Sequence, residues 1–155
     1  MVSIGFDWAT RAGISTIKTS DKYINISYNF IEFKVDNKKD KYKIMVQSLQ
    51  EILNNQNMAI IEDVFVGFNR KGSLELAKYH AFAVSECIRK NISYDTITAR
   101  SVRSKFKIVK KNKKDNWKIT VAYWLKENLD IDLKGDDDCS DAVVLALLGI
   151  LKGIK

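Results

Sequence analysis

The chain has 155 residues, 46% of them hydrophobic, and 26 Lys and Arg against 19 Asp and Glu give a formal net charge of +7. This length suits one domain over 1–155, and the apolar fraction excludes a disordered chain. The longest apolar run, 142–151, is too short to span a bilayer, and Cys87 and Cys139 form neither a disulfide framework nor a metal spacing, so the expectation is a reduced, cytoplasmic protein with a polyanionic partner and no membrane.

Residues 2–8 alternate, with Val2, Ile4, Phe6 and Trp8 on one face and Ser3, Gly5 and Asp7 on the other. This predicts a strand carrying an acid on its smaller face. Segments 11–19 and 22–34 are rich in Ile, Thr, Tyr and Phe and flank a turn at 19–21, which predicts further antiparallel strands. The polar stretch 36–43 reads as a loop, and 44–53 as a helix with Ile44, Leu49 and Leu53 inward. Residues 58–65 form an apolar run broken only by Glu62 and Asp63, as expected of a buried central strand.

Ser73 is placed to cap a second helix, whose stripe Leu74, Ala77, Ala81, Val84 and Ile88 recurs at steps of three and four. A strand follows at 94–99, then a basic stretch at 100–115 that starts as a short helix and becomes a loop. Asn116 is a cap for a helix burying Trp117, Val121, Trp124 and Leu125, and 138–149 is the last helix. Hairpin strands followed by strand–helix units predict an α/β fold, a mixed β-sheet flanked by α-helices.

Acids fall at three separate places. Asp7 lies in an apolar strand, and Gly5 on the same face leaves room beside it. Glu62 interrupts the most apolar strand, with Asp63 beside it. Asp136, Asp137, Asp138 and Asp141 precede or open the last helix, where acids also serve as ordinary caps. Carboxylates from two central strands and a late helix can converge at one end of a sheet and hold Mg²⁺, with Mn²⁺ as a substitute. Such ions support phosphodiester hydrolysis. His80 is the only histidine, and no phosphate-binding or dinucleotide fingerprint competes.

Ile4-Gly5-Phe6-Asp7 with Thr10-Arg11 and Gly13, then Ile61-Glu62-Asp63-Val64-Phe65, then Asp138-Cys139-Ser140-Asp141-Ala142 resemble, in order, the three acidic motifs of the RuvC Holliday-junction resolvases. The resemblance spans essentially the whole chain. It implies a ribonuclease-H-like fold and a Mg²⁺-dependent endodeoxyribonuclease that resolves Holliday junctions and other branched DNA as a two-fold homodimer. It further implies that Asp7, Glu62, Asp138 and Asp141 are the metal-binding and catalytic carboxylates. Phe65 matches an aromatic that contacts bases, and Arg103 and Lys118 match basic positions approaching the DNA backbone. Asp7-Trp8-Ala9 stands where the family usually has Asp-Pro-Gly, and Asp137 shares a helical face with Asp141 as an alternative to Asp138. The Lys-, Asn- and Ile-heavy composition would suit a phage-encoded member.

Between 100 and 118 lie Arg100, Arg103, Lys105, Lys107, Lys110, Lys111, Lys113, Lys114 and Lys118, opposed only by Asp115. Beside a metal site this is a phosphate-binding segment; by itself it is also an ordinary solvated loop. Phe65 and Phe106 are placed to stack on exposed bases, and either fits the core equally well. Two other readings remain. One is a nuclease of the same fold acting on flaps, forks or RNA–DNA hybrids. The other is a non-catalytic DNA-binding scaffold.

Overall fold

Each face of the first strand calls for a different covering. In the computed structural model, which describes residues 1–8, 11–32, 37–64, 70–134, 136 and 139–153, β1 (Val2–Asp7) is buried on both sides. Its large side chains, Ile4 and Phe6, join a core with Ala59 and Ile61. The opposite face carries Ser3, Gly5 and Asp7, and Ile60 of the neighbouring strand enters a second core. Two hydrophobic layers on one sheet require helices on both faces.

The sheet has the order β3-β2-β1-β4-β5. β2 (Arg11–Thr19) and β3 (Ile24–Glu32) form the antiparallel wing, with Asp7 opposite Gly13. β4 (Met58–Glu62) and β5 (Ser93–Ile97) run parallel to β1. Phe6 is in register with Ile61, so Asp7 and Glu62 are the next step on adjacent strands, at the same end and on the same face. β4 stops at Glu62, earlier than the expected 58–65. Asp63 still donates its N–H to Ile97 at 3.0 Å, and Phe65 lies outside the described residues.

On one face lie α1 (Lys38–Ile52) and α2 (Arg70–Arg89). α1 begins inside the expected loop at 36–43. Asn37 supplies the reason, since its side chain accepts from the Lys39 N–H at 3.0 Å and Asp40 sits in the first turn. Leu49 and Leu53 are buried as expected, whereas Met45 rather than Ile44 completes the inner face.

In α2 the expected stripe is turned mostly outward, with Val84 alone of its residues packed against the core. Ser73 is a buried residue inside the helix rather than its cap, and Leu74 and Ile88 are 65% and 63% exposed. Tyr79, Ala83 and Cys87 form the inner face instead. Tyr79 is the largest fully buried side chain and touches both Trp8 and Tyr42, so the aromatic contact sets the rotation of the helix.

The other face is covered by α3 (Ala99–Lys105), α4 (Trp117–Leu129) and α5 (Ser140–Gly153). Asn116 caps α4 as expected, accepting from the Lys118 N–H at 2.9 Å. Val121 and Leu125 are buried, but Trp117 is not; it stands at the exposed start of the helix. Phe106 packs edge-on against Trp124 with ring centres 5.6 Å apart and lies half-buried against the second core.

α5 lies directly on β1. A Cβ on Gly5 would come within 2.2 Å of the Ala142 carbonyl and 2.5 Å of the Ala146 nitrogen, and one on Gly149 within 2.0 Å of Ser3 Oγ. The room expected beside Asp7 is therefore filled by helix backbone. Both cysteines are free and buried, and among the described residues no helix is long and apolar enough to cross a membrane.

Candidate active site

Strand geometry delivers Asp7 and Glu62 together, and the small-residue seam delivers the third acid. Asp7 ends β1, Glu62 ends β4 and Asp141 occupies the first turn of α5, one residue before the Ala142 carbonyl that presses on Gly5. Asp7 and Asp141 are buried. Glu62 shares a hydrogen bond with Asp7 and lies within electrostatic reach of Asp141. Burial, then the Asp7 hydrogen bond and charge, then Asp141 push its carboxyl up to about 10.

Asp141 also has its carboxyl raised, first by burial, although Arg103 pulls the other way and Lys118 adds to that pull. The Arg103 guanidinium reaches from α3 as a two-pronged donor, with Nε 3.0 Å from one carboxylate oxygen and a terminal nitrogen on the other. The same guanidinium lies over the Trp117 ring, 4.8 Å from its centre, and Lys110 Nζ stands over that ring at 4.8 Å. Trp117 is thus a platform for two cations, a role its expected burial concealed. A tryptophan inside a lysine-rich segment was the available signal.

Among the described residues no three metal-ligating side chains form a ready cage. Arg103 occupies both oxygens of Asp141 and balances its charge, and Glu62 is hydrogen-bonded to Asp7. The donor set, all carboxylate oxygen, fits a hard divalent cation that would take over this balancing role. Asp138 and its alternative Asp137 lie outside the described residues. Cys139 turns inward and donates its thiol to the Asn29 carbonyl at 3.3 Å.

The basic residues differ in what they face. Arg103 and Lys118 face the acids. Arg100 and Lys107 line a cleft with Arg103 and Trp117. Lys105, Lys113 and Lys114 are exposed. Lys111 turns to Glu127 of α4, 3.4 Å away, so Asp115 is not the only acid opposing the segment. Asp115 itself accepts from the Asn112 N–H at 2.7 Å and holds the loop together.

A family model described as crossover junction endodeoxyribonuclease RuvC matches residues 4–148. The fold is similar to that of Thermus thermophilus RuvC in complex with Holliday junction substrate. That likeness has a TM-score of 0.79 and 11% identity, covering 99% of this chain and 96% of the other. A second Thermus thermophilus RuvC structure gives 0.75 and 12% over the same shares. The yeast mitochondrial Holliday junction resolvase Ydc2 gives 0.59 and 12%, over 93% of this chain and 75% of that one. No curated protein matches the chain. At these identities the structural likeness establishes the ribonuclease-H-like mixed sheet with its flanking helices.

Proposed function

Because the chain belongs to the RuvC family of crossover junction endodeoxyribonucleases, we propose that it resolves four-way DNA junctions by divalent-metal-dependent phosphodiester hydrolysis, at the end of the sheet where Asp7, Glu62 and Asp141 meet. The observation carrying this reading is that three acids from three separate elements lie within electrostatic reach of one another, opposed by an arginine of the basic segment.

Asp7, Glu62 and Asp141, with Asp138, are the residues that would hold Mg²⁺ or Mn²⁺. When bound, such ions activate a water and stabilise the leaving oxygen. The chain's own groups do the rest. Glu62, whose carboxyl is raised by burial and by Asp7, would serve as a ligand in its ionised form. Arg103, once Asp141 is otherwise neutralised, has donors free for a phosphate beside the cut bond. Lys118, at the start of α4, contributes positive charge to the same place. Arg100, Lys105, Lys107, Lys110, Lys113 and Lys114 supply affinity for the backbone without reading sequence.

A four-way junction offers two equivalent strands, which a two-fold dimer cuts with matched sites. Leu74, Ala81 and Ile88 recur every seven residues on the outer face of α2, all exposed. We assign this apolar stripe to the dimer contact.

The purified protein with Mg²⁺ should nick opposed arms of a synthetic four-way junction faster than flaps, forks or RNA–DNA hybrids. Asp7→Asn should bind the junction and leave it whole. A junction still intact after long incubation with Mg²⁺ or Mn²⁺ refutes the reading, and a hybrid cut faster than any junction replaces it with the broader nuclease.

A further inference from the structure

The chain leaves α3 through a left-handed residue. Lys107 has φ of 54°, and the N–H groups of Lys107 and Ile108 close back on the Ser104 and Arg103 carbonyls at 3.1 and 2.9 Å. This turn buries Ile108 and leaves Val109 75% exposed. Two clefts of about 590 and 500 Å³ meet here and share Lys107 and Val109. The first is walled by Arg103, which holds Asp141, and by Trp117. The second is floored by Ile119, Tyr123 and Trp124 of α4. Together they flank the Lys107–Val109 turn, the first beside the arginine that holds Asp141 and the second along the exposed face of α4.

The second cleft is a groove whose floor and rim differ in chemistry. Tyr123 is 65% exposed, and Ile119 lies one turn before it on the same face. An exposed aromatic and aliphatic floor of this kind favours a flat apolar ligand surface. The rim is cationic, with Lys107 and Lys110 beside the groove and Lys113 and Lys114 in the same segment. The acids nearby are engaged, Asp115 by Asn112 and Glu127 by Lys111. Duplex DNA offers phosphates but keeps its base faces stacked away. An unpaired strand offers both phosphates and free π-faces.

We propose that this groove binds an unpaired DNA strand leading away from the acidic site, with Tyr123 stacking on a base and the lysines of the 107–114 segment following the phosphates. The inference rests on the reading that DNA is cut at the Asp7–Glu62–Asp141 end. It also gives the chain a reason to favour substrates that open near the cut over intact duplex.

The test is anisotropy titration of the full chain, in EDTA, with labelled oligothymidine of about 12 nucleotides and a duplex of equal length. Tyr123→Ala removes the platform and no charge. It should weaken oligothymidine binding about tenfold, the loss of one stacked base, and leave duplex binding within about twofold. Tyr123→Phe should restore the affinity. The salt dependence should match the wild type, because the phosphate contacts are intact. Melting curves of both variants confirm folding, as expected for an exposed position. Equal loss on both DNAs overturns the proposal. So does no loss on either, which would assign the apolar floor to a protein partner. Junction cleavage by the unaltered protein is scored separately, so a cut junction with a neutral Tyr123→Ala rejects the groove and retains the nuclease.

Discussion

At Glu62 burial and function pull in opposite directions. Its carboxyl is raised to about 10, first by desolvation and then by Asp7, whereas the unfolded chain ionises it near its ordinary value of 4.5. Between those limits the folded state holds more protons than the unfolded one, so stability falls as pH rises. Below about 4.5 the contribution is fully present; toward pH 10 it is gone. Urea unfolding of metal-free protein across this range should show the decline. Glu62→Gln, which resembles the protonated acid, should flatten the curve while weakening Mn²⁺ binding in calorimetry. Arg103 is the second counterweight. Arg103→Ala should lower stability by about 3 kcal/mol, the low end for breaking a buried pair, because Asp141 can respond by taking up a proton. Mn²⁺ should recover most of that loss in the variant, and the same denaturant curves measured with and without the ion check it.

The elements differ in how openly the sequence announces them. β1 is legible from alternation, β2 from its strand-forming composition before a turn, and α4 from Asn116, because each depends on a local pattern or a cap. The start of α1 was hidden behind lysines, although Asn37 carried the capping signal. α2 was recognised as a helix but turned to the wrong face. Its apolar stripe is real, yet Tyr79 and Cys87 win the core because Tyr79 can reach the aromatic cluster around Trp8. The candidate acids were readable from their neighbours: Asp7 and Glu62 lie within apolar strands, and Asp141 stands one step before an apolar run at the start of a helix. The Arg103 clamp and the Trp117 platform were not, since they depend on how α3 approaches α5 across a 38-residue separation. The misread stripe has its own consequence at the scale of α2. Leu74→Asp with Ile88→Asp should convert a dimer to a monomer in sedimentation without altering Mn²⁺ affinity per chain. An unchanged dimer would move the contact elsewhere.

Across the whole molecule, the antiparallel wing, the parallel pair and α5 meet at one seam of small residues. Gly5→Ala would force a methyl into the Ala142 carbonyl. The expected result is a loss of at least about 3 kcal/mol in urea unfolding. The temperature-permissive folded fraction should bind Mn²⁺ weakly, since Asp141 is carried off with α5. A folded Gly5→Ala protein with normal Mn²⁺ affinity would separate the seam from the site. The spacing of the acids is thus not a property of the acids. It is dictated by the thickness of a joint in which two hydrogens, at positions 5 and 149, stand where any other residue would place a side chain. Retuning the proposed ion pocket for a larger ion would therefore call for redrawing that joint along its length, and exchanging aspartate for glutamate at its mouth would leave the gauge untouched.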